Sequence, residues 1–186
     1  MKRVLAATTT LAAISVALGC AGRAAAPGGG SGVELIMAHD APAPEGAITF
    51  PNSGYESVVR FDLPPGEHRL RRLRVLAAAP GTLTLTLYDN SPLDAPGQVV
   101  HSLTREVAAT DTSDGKDGRW LVNDLSPVPA RAGVVWVGLR KAGGDPKVWA
   151  SGFASEKAYM RNTDPANIMG LLPVKRSPMV RLEVGP

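Results

Sequence analysis

The sequence predicts an all-β fold, a single jelly-roll-like antiparallel β-sandwich of about eight or nine strands with one short helical turn. From Val33 onward, short runs of alternating apolar and polar residues are separated by Pro, Gly, Asn and Asp at intervals of about ten residues. Helical periodicity is nearly absent from this region. The chain has 186 residues and a single cysteine, so we expect one domain without an internal disulfide.

The most regular predicted strand covers 82–88, where leucines alternate with threonines. Alternation points Leu83, Leu85 and Leu87 towards the core and the β-branched threonines outward. Turn-forming sequences bound this strand on both sides, Pro80-Gly81 before it and Asp89-Asn90-Ser91-Pro92 after it.

The other predicted strands lie at 55–63, 70–78, 99–107, 119–125, 134–141, 148–153 and 179–184, with a short one at 48–50. The segment 164–170 is the exception to the β pattern. Asp164 suits a helix N-cap, Pro165 the first helical position and Gly170 the position after the last turn. One short helical turn is therefore expected there.

The chain begins with the pattern of an export signal. Lys2 and Arg3 supply a positive start, and residues 4–18 form an uncharged, largely apolar run that is too short to span a bilayer comfortably. The run ends Val16-Ala17-Leu18-Gly19-Cys20, which resembles the lipobox of bacterial lipoproteins. The resemblance implies that residues 1–19 are a signal peptide and that Cys20 becomes a lipidated N-terminus carrying diacylglycerol and palmitate. An ordinary secretory signal followed by an incidental cysteine is the alternative.

Residues 20–32 are rich in Gly and Ala and predict a flexible tether between the lipid and a domain at 33–186, with a typical reach of about 20 Å. Ala21 follows the cysteine, which by the same resemblance implies transport onward to the outer membrane. Removing Lys2 and Arg3 with the signal leaves 18 of the 20 basic residues against 17 acidic ones, a net charge of +1. We therefore expect the membrane, and no nucleic acid, as a partner.

A second resemblance covers most of residues 55–184. Its motifs are Val-Val-Arg-Phe-Asp-Leu (58–63), Arg-Leu-Arg-Val (72–75), Leu-Tyr-Asp (87–89), Pro-Gly (96–97), Gly-Arg-Trp-Leu (118–121), Val-Trp-Val-Gly-Leu (135–139) and Pro-Met-Val-Arg-Leu (178–182). Their order looks like that of the β-sandwich accessory domains found on secreted bacterial proteins. The resemblance implies a jelly-roll and says little about function.

Catalytic motifs are not found in the sequence. It contains no Gly-x-Ser-x-Gly elbow, no His-Glu-x-x-His and no phosphate-binding glycine loop between a strand and a helix. His39 and Asp40 are adjacent, but neighbouring residues of an extended segment point to opposite faces. His68 and His101 have no evident partner, so we assign no catalytic residue.

The aromatic residues are the candidates for binding carbohydrate, because an exposed ring can stack on a sugar. Trp149 has small and polar neighbours, and together with Tyr159 it is the candidate glycan-stacking residue, although a place in the core is the slightly favoured interpretation of Trp149. Trp120 and Trp136 are expected in the core, since Trp136 lies in a nearly continuous apolar run.

Two acidic loops carry oxygen ligands of the kind that Ca²⁺ prefers. Asp89, Asn90 and Asp94 lie in one of them, and residues 111–118 form the other. Neither loop has EF-hand spacing, and turn formation by Asp and Asn explains both. No cofactor is required by the sequence, and Ca²⁺ is only a weak candidate.

Four arginines, Arg69, Arg71, Arg72 and Arg74, lie in one predicted strand. Alternation puts Arg72 and Arg74 on one face and the other two on the opposite face. The set could contact lipid phosphates or an acidic glycan, but an edge strand protected by charge is the favoured interpretation.

Three functions follow from these features. The favoured one is a non-catalytic cell-envelope lipoprotein that acts as a protein-interaction, envelope-structural or assembly module, with an envelope protein as partner. A carbohydrate-binding module of jelly-roll type is the alternative, and an unrecognised hydrolase is the least favoured. An exposed coplanar Trp/Tyr pair would favour glycan binding, a contiguous exposed apolar patch would favour protein interaction, and a cleft with paired carboxylates would favour hydrolysis.

Overall fold

In a computed structural model of the chain, the residues described are 35–38, 43–117, 119–152, 157–164 and 170–185, with backbone alone at 126–127 and 131–132. The predicted signal peptide 1–19, Cys20 and the tether 20–32 lie outside these residues, as do His39, Asp40 and most of the predicted helical turn at 164–170. Within the described part of the chain, no helix is long and apolar enough to cross a membrane.

The described residues form ten β-strands and one 3₁₀ helix at Ala109–Asp111, so the all-β prediction is confirmed. The strand number exceeds the expected eight or nine. The predicted strands merge into six, and four further strands were not predicted, at Leu35–Ala38, Ala158–Asn162, Leu172–Pro173 and Ser177–Pro178. The strands are β1 (Leu35–Ala38), β2 (Gly46–Thr49), β3 (Tyr55–Val75), β4 (Ala77–Asn90), β5 (Pro96–Val107), β6 (Leu121–Ser151), β7 (Ala158–Asn162), β8 (Leu172–Pro173), β9 (Ser177–Pro178) and β10 (Val180–Gly185).

Two long strands, β3 and β6, replace five shorter predicted ones. They pair antiparallel from Glu56 opposite Arg140 at one end to Val75 opposite Leu121 at the other. The sequence Pro64-Pro65-Gly66 reads as a turn, but it lies where the register shifts between Leu63 and Glu67. A β-bulge can accommodate proline and glycine without ending the strand. The residues that suggested a turn therefore lie in an irregular part of one continuous strand.

All strand pairs are antiparallel, and the main path through the sheet runs β1-β10-β3-β6-β4-β5. Outside this path, β2 and β9 pair with β6, β7 pairs with β3, and β8 pairs with β7. The first half of β6 pairs with β3, and its second half pairs with β4 from Trp136 opposite Tyr88 to Val148 opposite Ala77. The long strands therefore change partners along their length, and the fold is β-sandwich-like.

One large apolar cluster contains side chains from β3, β4, β6 and β10. It contains Leu83, Leu85 and Leu87, each at most 1% exposed, which confirms the inward face predicted for that strand. Val59 and Phe61 of β3 and Leu182 and Val184 of β10 belong to the same cluster. Residues that alternate with these face the other side of the sheet, where the polar side chains described below are found.

Candidate functional site

A small second cluster lies on the opposite face of the sheet from the main core. It consists of Val58, Tyr88 and Trp136, with Tyr159 packed against it. Trp136 is 1% exposed, so its predicted place among buried residues is confirmed. The ring centroids of Trp136 and Tyr159 are 5.7 Å apart at an interplanar angle of 54°, so the pair is tilted and does not form a flat platform.

A buried carboxylate lies beside this cluster. Glu56 is 1% exposed, and its oxygens accept hydrogen bonds from the Tyr88 hydroxyl at 2.9 and 3.1 Å. Arg161 of β7 donates from Nε to Glu56 Oε2 at 2.7 Å, and its guanidinium lies 4.5 Å from the centroid of the Tyr88 ring. A buried charge requires such partners, because desolvation would otherwise cost several kcal/mol. Burial, together with the charge of Glu56, raises the pKa of Tyr88.

Both oxygens of the Glu56 carboxylate accept hydrogen bonds. The carboxylate therefore connects β3 with β4 and β7, and it is not open to a substrate.

The predicted calcium ligands form part of a hydrogen-bonded chain at the end of the same face. Asn90 accepts a hydrogen bond from Trp136 Nε1 at 2.8 Å and donates to Asp94 Oδ1 at 3.1 Å. Asp94, which has a positive φ of 55°, also pairs with Arg60. Asp89 Oδ1 accepts from the backbone N–H of Gln98 at 2.6 Å. These contacts close the β4–β5 hairpin, and the part of the chain that the structure describes has no group of three or more His, Cys, Asp or Glu arranged to hold a metal.

Asp62 of β3 contacts Arg60, the residue that also pairs with Asp94. Its carboxylate accepts from Lys157 Nζ at 2.6 Å and from Arg60 Nε at 2.8 Å. The hydrogen bond from Lys157 is the main cause of a pKa below the ordinary value for Asp62. The carboxylate is therefore held in its ionised form as part of a surface ion-pair network.

Trp149, the predicted glycan-stacking residue, lies at the far end of β6 beside Ala47 of β2. It is half-buried, and its Nε1 donates to the backbone oxygen of Ser113 at 2.8 Å. The acidic loop that carries Ser113 is closed by its own contacts, since Asp114 Oδ1 accepts from the backbone N–H groups of Lys116 and Asp117. The loop that offered calcium ligands thus supports the indole of Trp149, whereas Tyr159 lies elsewhere, against Trp136.

The arginine-rich segment is not at a sheet edge, so that interpretation was wrong. It lies in β3 between β10 and β6. Arg72 and Arg74 do share a face, and both pair with Glu183 of β10, whose side chain is fully buried. On β10, the guanidinium of Arg181 lies 4.1 Å from the centroid of the Trp120 ring. Trp120, which was expected in the core, is half-buried.

The structure describes two histidines, and neither lies beside a carboxylate in a catalytic arrangement among the contacts of the described residues. His68 Nε2 is 2.9 Å from the backbone oxygen of Pro64, next to the β3 irregularity. His101 lies opposite Leu87 in the β4–β5 pair.

An open groove of about 430 Å³ lies between β5 and the first half of β6. Val100, Ala130 and Val134 line it together with Leu70 and Val135, and Asp89 and Asn90 add its polar groups. Two further apolar side chains are exposed on the β4–β5 hairpin, Leu93 at 89% and Val99 at 60%. Sequence reasoning missed the groove because its residues come from four distant segments of the chain.

The chain matches no known protein-family model and no curated protein. Its function is therefore inferred from this groove and from the export signal that the sequence predicts.

Proposed function

We propose that the protein is a non-catalytic lipoprotein of the cell envelope, with a jelly-roll-type domain that binds another protein. The observation that carries the proposal is the open apolar groove that Val100, Ala130 and Val134 line, and two apolar side chains of the β4–β5 hairpin, Leu93 and Val99, are also more than half exposed. Exposed apolar patches of this kind mark sites of protein interaction. Membrane anchoring through Cys20 and an outer-membrane location rest on the export signal.

The charged residues support a binding role over hydrolysis. Glu56 and Glu183, the two most deeply buried carboxylates of the described residues, are each held by arginines. A glycoside hydrolase needs two carboxyl groups facing a common cleft, and these two are instead engaged within the sheet.

Carbohydrate binding is the second candidate, and the half-buried indole of Trp149 is the observation that favours it. Its Nε1 is held by Ser113, which would fix the ring for stacking. The groove is lined by aliphatic rather than aromatic side chains, so protein interaction is the better-supported function.

Site-specific photo-crosslinking in cells that make the full lipidated chain tests the proposal. A photoreactive amino acid in place of Leu93 or Val99 should capture a discrete protein. The same group at Leu172, which is 45% exposed on β8, is the matched control and should not capture it. Capture of glycan strands alone, or equal capture from all three positions, would contradict the proposal.

A further inference from the structure

The arginines of β3 lie on a face of the sheet that points away from the main core. Leu73 of β3 and Leu182 of β10 are opposite each other in that core. Their neighbours along each strand point to the other side, where Arg72 and Arg74 pair with Glu183. The side chains of Arg72 and Arg74 are 41% and 30% exposed, so this face is open to solvent.

A β-bulge brings Arg69 and Arg71 to the same face. The register of β3 against β10 shifts here, and Arg71 is the extra residue of β3. Leu70 beside it belongs to the main core, so Arg69 points to the same side as Arg72. The Arg71 side chain lies where a Cβ of Gly185 would be. The expectation that these two arginines lie on the opposite face was therefore wrong, because the bulge interrupts the alternation.

Apolar and aromatic side chains lie among these arginines. By register, Ile36 of β1 and Val122 of β6 point to the same side, and they are 50% and 44% exposed. The Arg181 guanidinium stacks on the half-buried ring of Trp120, 4.1 Å from its centroid. This combination suits the surface of a membrane, because cations bind lipid phosphates while aliphatic and tryptophan side chains lie at the level of the headgroups.

Arginines outnumber acidic residues on this surface, which we call the arginine face. Besides Ile36, Trp120 and Val122, it comprises five arginines and three acids, namely Arg69, Arg71, Arg72, Arg74, Arg181, Glu67, Asp124 and Glu183. Arg131, whose backbone lies opposite Glu67, and Glu34, which precedes β1 in the sequence, have side chains outside the described part of the chain. The arginines are in excess whether either, both or neither of these is counted, so the face is complementary to an anionic surface.

The chain enters the domain at the border of the arginine face. Its first described strand, β1, pairs with β10 at the end of the path through the sheet and carries Ile36. Residues 21–34 lie between Cys20 and Leu35, and the flexible tether that the sequence predicts would give them a typical reach of about 20 Å. An acyl group on Cys20 would therefore hold the arginine face within reach of the membrane.

We propose that the arginine face lies on the surface of the membrane that holds the acyl chains of Cys20. Its arginines bind the phosphates of anionic phospholipids, while Ile36 and Val122 contact the lipid at the level of the headgroups. This inference rests on the lipid anchor of the proposed function, and it adds which surface of the domain faces the membrane.

Photo-crosslinking of the full lipidated chain to lipid tests the inference. The chain is reconstituted in vesicles of equal parts phosphatidylcholine and phosphatidylglycerol, with a photoreactive amino acid at Ile36 or Val122. Mass spectrometry should detect phospholipid adducts from both positions. The exposed residues Leu93 and Leu172 are the controls and should give at least about fivefold fewer adducts. In vesicles of phosphatidylcholine alone, the yield at Val122 should fall by the same factor, because this lipid has no net charge.

A charge variant locates the contact. Arg69 is exposed and belongs to neither of the ion pairs that Glu183 forms with described residues, so Arg69→Gln removes a cation without leaving that buried carboxylate unpaired. At a salt concentration that gives half the maximal yield, the change should lower the ratio of docked to undocked chain about fivefold, which is the contribution of one cation near an anionic membrane. Arg105→Gln, at an exposed arginine of β5, is the matched control and should leave the yield unchanged.

Several results would overturn the inference. Equal yields at Val122 and Leu93, equal yields in the two kinds of vesicle, or an equal loss in Arg105→Gln would each remove the arginine face as the docking surface. Retention on dextran sulfate that requires Arg69, without lipid adducts, would mean that the face binds a soluble polyanion instead. If the chain is acylated and Leu93 captures a protein, but Val122 gives no adduct, the inference fails and the proposed function stands. A chain without acyl groups at Cys20 would remove the anchor and this inference together.

Discussion

The hydroxyl of Tyr88 donates to the buried carboxylate of Glu56, 2.9 Å from Oε1 and 3.1 Å from Oε2, across a glycine of the strand between them. Glu56 is on β3, Tyr88 on β4, and Gly138 of β6 lies between the two strands. A Cβ at position 138 would meet both the Glu56 carboxylate and the Tyr88 ring. The contact therefore joins β3 and β4 across β6, and it depends on a residue without a side chain at position 138.

Removing the hydroxyl should destabilise the domain. Tyr88→Phe leaves the buried carboxylate with one partner fewer, and a hydrogen bond to a charged group contributes about 1.5–3 kcal/mol. Urea denaturation should show a loss of that order in the free energy of unfolding. Tyr55→Phe, at the half-buried tyrosine that begins β3, is the control and should cost less than about 1 kcal/mol. Equal losses in the two variants would contradict the role given to Tyr88.

The same residue predicts a decline of stability at high pH. Burial and the charge of Glu56 raise the pKa of Tyr88 in the folded protein above its unfolded value of about 10. The unfolded chain then releases this proton first, so the stabilisation is fully present below about pH 10 and is lost as the pH rises through the folded pKa. Between pH 8 and about pH 11, the free energy of unfolding should fall more steeply for the wild type than for Tyr88→Phe. Parallel profiles would show that Tyr88 does not contribute.

The alternation in β4 predicts a contrast between two neighbouring residues. Leu85 is 1% exposed in the main core, whereas Thr84 is half-buried on the other face. Leu85→Ala should cost about 2–5 kcal/mol through lost burial and a residual cavity, and Thr84→Ala should stay within about 1 kcal/mol. Thermal or urea melts measure both. Small and similar effects would mean that the strand register is wrong.

Substitution of the two tryptophans of β6 should have different effects on stability and on carbohydrate binding. Trp136→Ala removes a fully buried ring and should cost about 3–5 kcal/mol. Trp149→Ala removes a half-buried ring and should cost much less. If the carbohydrate alternative is correct, Trp149→Ala should also abolish retention on a peptidoglycan or polysaccharide matrix while the domain stays folded. A wild-type chain that is not retained on either matrix would count against that alternative.

Lipidation at Cys20 is the prediction that concerns location. The intact mass of membrane-extracted protein should correspond to a chain beginning at Cys20 with added acyl groups. Cys20→Ser should prevent the acylation and release or stall the protein, because the thioether needs the sulfur. An unacylated chain that begins at another residue would contradict the lipobox resemblance.

Local side-chain patterns were sufficient to predict an all-β chain and the inward face of its most regular strand. Leu83, Leu85 and Leu87 were identified because side-chain alternation is local and needs no knowledge of partners. The same reasoning placed Arg72 and Arg74 on one face, where both meet Glu183. It did not reveal that β3 is an interior strand, since a neighbour such as β10 comes from the other end of the chain.

Other features of the fold and of the site depend on which strands pair. The strand β3 continues through Pro64-Pro65-Gly66, because β6 pairs with it on both sides of these residues. The ion pair between Glu56 and Arg161 joins residues 105 positions apart, and the groove beside β5 is assembled from four such distant segments. Alternation specifies which face a side chain takes, but not which strand lies beside it. Strand pairing over long distances in sequence therefore produced the buried charges and the groove on which the proposed function rests.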